Sequence, residues 1–66
     1  MKIRQLWRCL DGYLTIILDD RNGMTDVRGK VKDISQMDFC RYAENDITHI
    51  YAITDDGDPV LVIKSI

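Results

Sequence analysis

Apolar and polar residues alternate along most of this chain, and Asp-Gly or Asn-Gly pairs interrupt the alternation at Asp11-Gly12, Asn22-Gly23 and Asp56-Gly57. Such dipeptides favour two-residue turns whose central residues both take positive φ, and those turns join antiparallel strands. Treating the first two as turns of this kind fixes two registers. Across Asp11-Gly12, Trp7 faces Ile16 and Cys9 faces Leu14. Across Asn22-Gly23, Leu18 faces Val27, Ile16 faces Gly29 and Leu14 faces Val31. Because strand side chains alternate, one sheet face then collects Ile3, Trp7, Cys9, Leu14, Ile16, Leu18, Val27 and Val31. The opposite face collects Lys2, Arg4, Arg8, Thr15, Arg28, Lys30 and Lys32.

The first segment has a second reading. Ile3, Leu6, Trp7 and Leu10 also fit the i, i+3, i+4, i+7 spacing of a helix, with Gly12 as its stop. The strand is preferred because it completes both faces.

After Ser35 the pattern changes. Ser35 with Asp38 three positions on resembles a capping box, and Met37, Phe39, Cys40, Tyr42 and Ala43 supply the apolar side of one short helix near residues 36–44. Residues 46–54 and 59–66 form a last hairpin around Asp55-Asp56-Gly57-Asp58, with His49 facing Lys64. Here both faces are apolar. Ile50, Ala52, Leu61 and Ile63 share one, while Ile47, Tyr51, Ile53, Val60 and Val62 share the other. A strand pair that is apolar on both faces needs cover on both. The helix can cover one face. The other would meet a second copy of the chain, with a closed five-stranded barrel as the rival arrangement.

The expected fold is therefore mainly β, a small α+β domain: a twisted antiparallel sheet of about five strands in the order β-β-β-α-β-β, forming one domain over residues 1–66. At 66 residues such a chain buries only about 60% of its unfolded surface, so small domains recruit disulfides, a metal or a partner. Two cysteines and one histidine do not make a disulfide scaffold or a zinc site, which leaves oligomerisation. No apolar run approaches a membrane span, and the basic N-terminus has no signal-peptide pattern. The expectation is a cytoplasmic chain with reduced thiols, no membrane association and no cofactor.

Charge is unevenly distributed. Residues 1–32 carry seven basic and four acidic side chains, whereas residues 33–66 carry two basic and seven acidic ones. The basic half suggests a phosphate-binding face built from Arg4, Arg8, Arg28, Lys30 and Lys32, with Tyr13 available to contact bases. Lysines on a solvated face also guard sheet edges against aggregation. In the derived register Asp19 sits opposite Asp26. Like charges in that position destabilise a ladder unless something neutralises them, and a divalent metal is one candidate. Asp55-Asp56-Gly57-Asp58 lacks the remaining ligands of a calcium loop and reads as turn chemistry.

Residues 14–38, from Leu14-Thr15-Ile16 through Asn22-Gly23 to Arg28-Gly29-Lys30-Val31-Lys32-Asp33, resemble the first hairpin of an Sm-like barrel. The chain has no counterpart of that family's second motif. The functional expectation is a small, non-enzymatic, oligomeric binding module that docks on nucleic acid or a nucleoprotein through the basic face. A chain of this size and polarity suits an accessory inhibitor or modulator of a larger complex, such as a defence nuclease. The alternatives are a metal-dependent nucleic-acid-nicking enzyme using Asp19 and Asp26, and a purely structural homo-oligomer.

Overall fold

The computed structural model describes residues 1–20 and 26–66. Its elements are α1 (Ile3–Trp7), β1 (Thr15–Asp20), β2 (Val27–Lys30), a 3-10 turn (Val31–Asp33), α2 (Gln36–Tyr42), β3 (Ile47–Asp55) and β4 (Asp58–Ser65). The protein is mainly β, as its patterning requires. The sheet has four strands in the order β2-β1-β4-β3. It is mixed rather than antiparallel, because β1 and β4 run parallel in the middle.

Hydropathy accounts for the central place of β4. β4 carries Val60 and Val62 on one face and Leu61 and Ile63 on the other, and a strand apolar on both faces belongs inside a sheet. It lies between β1 and β3, with Val60, Val62 and Ile63 all buried. Ile63, fully buried, joins Ile3, Ile16, Leu18 and Tyr42 in the core between the sheet and the helices. Leu6, Trp7, Leu10, Leu14, Val27, Val31, Ile34, Ile47 and Leu61 pack around that cluster.

The β1–β2 hairpin keeps the expected register, with Leu18 opposite Val27 and Ile16 opposite Gly29. The proposed Asn22-Gly23 turn itself lies outside the described residues. The first segment, by contrast, is helical. A five-residue helix is far too short to persist on its own. Tertiary bonds hold it: the free N–H groups of its first turn donate outward, Ile3 to the Asn45 carbonyl at 3.1 Å and Arg4 to the Ala43 carbonyl at 3.0 Å. Gln5 Oε1 accepts from the Lys2 N–H at 2.8 Å. The Trp7 ring then meets Phe39 of α2 with centroids 4.9 Å apart, tying the two helices together.

Asp11-Gly12 consequently makes no strand-joining turn. The Asp11 carboxylate accepts from the Tyr13 N–H at 2.8 Å, and the Leu14 N–H bonds the Asp11 carbonyl. This is a side-chain-assisted turn that brings the chain from α1 into β1. Asp56-Gly57 does behave as expected. Asp55 pairs with Asp58, and both central residues have positive φ, 51° and 84°. α2 begins at Ser35, whose Oγ accepts from the Asp38 N–H at 3.2 Å. Cys9 and Cys40, read as packing thiols, are both exposed and free.

Candidate functional site

Among the described residues the helices cover one face of the sheet, and none covers the other. Side chains on the open face follow from the pairings. One row runs Arg28–Ile17–Val62–Tyr51 across the four strands, and the next runs Lys30–Thr15–Val60–Ile53. The expected basic face therefore divides. Arg28 and Lys30 stand on the open face of β2. Arg4 lies on α1, paired with Glu44 at 3.0 Å, and Arg8 caps the same helix. Neither is part of the sheet, because the segment that carries them is not a strand.

What remains of the basic face gathers around Tyr13. The chain after β2 is pinned beside the Asp11 turn, with the Val31 N–H on the Leu14 carbonyl at 3.0 Å and the Lys32 N–H on the Gly12 carbonyl at 2.9 Å. That places Lys32 Nζ 5.5 Å and Lys30 Nζ 5.9 Å from the Tyr13 ring centroid. The ring is 73% exposed. It borders an open cleft of about 300 Å³ lined by Tyr13, Leu14, Thr15, Lys30, Asp58 and Pro59, where β1 and β4 enter the sheet side by side.

The cations differ in how they are held. Lys32 pairs with its neighbour Asp33 at 3.1 Å. Arg28 pairs with Asp55 of β3. Among the described residues none forms an ion pair with Lys30. Asp55, Asp58 and Pro59 belong to the same surface and could not be assigned to it from local sequence, since they arrive through the parallel β1–β4 pairing.

Asp19 Oδ2 lies 3.9 Å from Lys64 Nζ; among the described residues the β1–β2 pairing runs to Leu18 and Val27, and Asp26 immediately precedes β2. Among the described residues no group of three or more His, Cys, Asp or Glu side chains could hold a metal ion.

The apolar set also separates. Tyr51 and Ile53 stand on the open face and are 45% and 39% exposed. Val60 and Val62 share that face but are buried between neighbouring strands. Ile47 does not share it. A β-bulge between Ile47 and His49 shifts the register so that Ile47 pairs with Ser65 and packs on the helix-side core. A bulge reverses the facing of everything beyond it, and the sequence Ile47-Thr48-His49 carries no glycine to announce one. His49 does face Lys64; it is exposed, its Nδ1 3.1 Å from Thr48 Oγ1.

No helix among the described residues is long and apolar enough to cross a membrane. No family model, curated protein or solved structure matches the chain.

Proposed function

We propose that this chain is a non-enzymatic binding module that docks on single-stranded nucleic acid through Tyr13, Lys30, Lys32 and Arg28. The observation that carries the reading is the Tyr13 ring, largely exposed and flanked by two lysine ammonium groups. An exposed aromatic ring offers a stacking surface to any base, and cations beside it follow the phosphates that accompany the base. Affinity of this kind rests mainly on released counterions, so it is strong at low salt and modest in total for so few cations. Asp58 lines the same cleft as Tyr13 and Lys30, and Asp33 pairs with Lys32, so both carboxylates temper the attraction for a polyanion.

The test is fluorescence anisotropy of a labelled single-stranded oligonucleotide titrated with the protein at low salt. Stacking on an aromatic ring contributes about 1–3 kcal/mol per base. Tyr13→Ala should therefore weaken binding roughly 5- to 150-fold, while Tyr13→Phe stays close to the parent. Equal affinities for the parent and Tyr13→Ala would refute the assignment.

A further inference from the structure

The two edges of the sheet are built differently. β2 is four residues long and carries Arg28 and Lys30, the short, charged form that resists pairing with another chain. β3 is nine residues long. From Ile47 to Thr54 it holds no Asp, Glu, Lys, Arg or Pro. Ile50 is 46% exposed on the helix side of this strand, while Tyr51 and Ile53 are exposed on the open side. An edge that is long, apolar and unguarded is a template for strand addition.

We infer that β3 pairs antiparallel with β3 of a second copy, across a two-fold axis at Ala52, to make one continuous eight-stranded sheet. Three observations select this occupant. The first is backbone direction. Asp55 and Asp58 flank a two-residue turn, so they exchange both hydrogen bonds, and the ladder alternates from there. Ile53, Tyr51 and His49 thus bond inward to β4, leaving the N–H and C=O groups of Thr54, Ala52 and Ile50 directed outward. The second is the extent of the free edge. The Ile47 N–H is already bonded to the Met1 carbonyl at 2.9 Å, so the available stretch starts at Thr48 and ends at the turn, and its midpoint is Ala52.

The third observation is charge. The β3–β4 hairpin is acidic at its tip, with Asp55, Asp56 and Asp58, and carries His49 and Lys64 at the opposite end of β3. Antiparallel self-pairing about Ala52 sets Asp55 of each copy, which its own Arg28 also pairs, opposite His49 of the other and holds the two acidic tips apart. Parallel pairing would put tip against tip. The same register opposes Tyr51 with Ile53 twice on the open face, an aromatic–β-branched pair of the kind that stabilises sheets. Because β2 is guarded, the assembly closes at two chains instead of propagating.

Sedimentation velocity at high micromolar concentration tests the stoichiometry. The expected species is 15.4 kDa, twice the 7.7 kDa of one chain, and a monomer overturns the proposal. Ala52→Pro removes one outward N–H without touching the β3–β4 ladder, a change that edge strands tolerate. It should give a folded monomer by far-UV circular dichroism, and a folded dimer would refute the edge. Register is read by cross-linking in a Cys9→Ser/Cys40→Ser background under oxidised glutathione. Directly opposed residues in a bonded pair have Cα atoms about 5.5 Å apart, within disulfide reach. Ala52→Cys should form a covalent dimer. Ile50→Cys should not, because its two copies stand about 14 Å apart along the strands. Cross-linking through residue 50, or none through residue 52, contradicts the pairing.

Discussion

Arg28 on β2 and Asp55 on β3 form an ion pair, although two strands lie between the elements that carry them. In the rows set by the pairings, the line between them passes beside Val60, which is 3% exposed on a face without helices. The guanidinium reaches the carboxylate across this face, and the aliphatic stems of long basic side chains commonly cover apolar surface along such a path. Both partners are about half exposed, so the charge component should be small. A double-mutant cycle on Arg28→Ala and Asp55→Ala is expected to give a coupling below about 1 kcal/mol. Arg28→Met, which keeps a stem, should retain more stability than Arg28→Ala in urea denaturation. A larger loss from Arg28→Met would show that charge dominates.

The core is small enough for one residue to decide folding. Chains of 66 residues have unfolding free energies of roughly 3–10 kcal/mol. Ile63 is fully buried between β1, β3 and the helices, and truncating such a side chain costs about 2–5 kcal/mol. Ile63→Ala should therefore leave a substantial unfolded population at room temperature, visible as a collapsed urea midpoint. Ile50→Ala, on the exposed part of β3, should change the midpoint little at concentrations where the chain is monomeric.

The helix layer can be tested through its single tryptophan. Trp7 stacks at a tilt on Phe39 and is partly buried, so Phe39→Ala should red-shift its emission and cost about 2–3 kcal/mol, below the loss for a fully buried ring. Unchanged emission would mean that α1 and α2 do not meet in solution.

Ser35 caps α2 through its hydroxyl. Ser35→Ala should cost about 1 kcal/mol and Ser35→Asp almost nothing, since aspartate caps equally well. Thermal denaturation followed at helix-sensitive wavelengths reads the difference, and identical melting of all three proteins would discount the cap.

Local signals in the chain were legible where the structure is local. The cap at Ser35, the turn at Asp56-Gly57, the β1–β2 register and the pairing of His49 with Lys64 all follow from spacing within one hairpin or helix. Arg28 and Lys30 share one face of β2 for the same reason. The failures all involve contacts made at long range. Residues 3–7 satisfy both a strand and a helix pattern, and hydrogen bonds from the Ile3 and Arg4 N–H groups to the Asn45 and Ala43 carbonyls decide for the helix. The parallel β1–β4 pairing is another case, since nothing near residues 58–65 encodes that neighbour. The reversal of Ile47 comes from a bulge with no glycine to mark it.

The central claim is that Arg28, Lys30 and Lys32 meet phosphates beside Tyr13, and the salt dependence of oligonucleotide affinity tests it most directly. Three phosphate contacts on a single strand give a slope of log K against log salt of about −2. The parent protein should show that slope, and Lys30→Glu/Lys32→Glu should abolish measurable binding at low salt while leaving the circular dichroism spectrum intact. Absence of binding by the parent at low salt, or a slope that the charge reversals leave unchanged, would contradict the account.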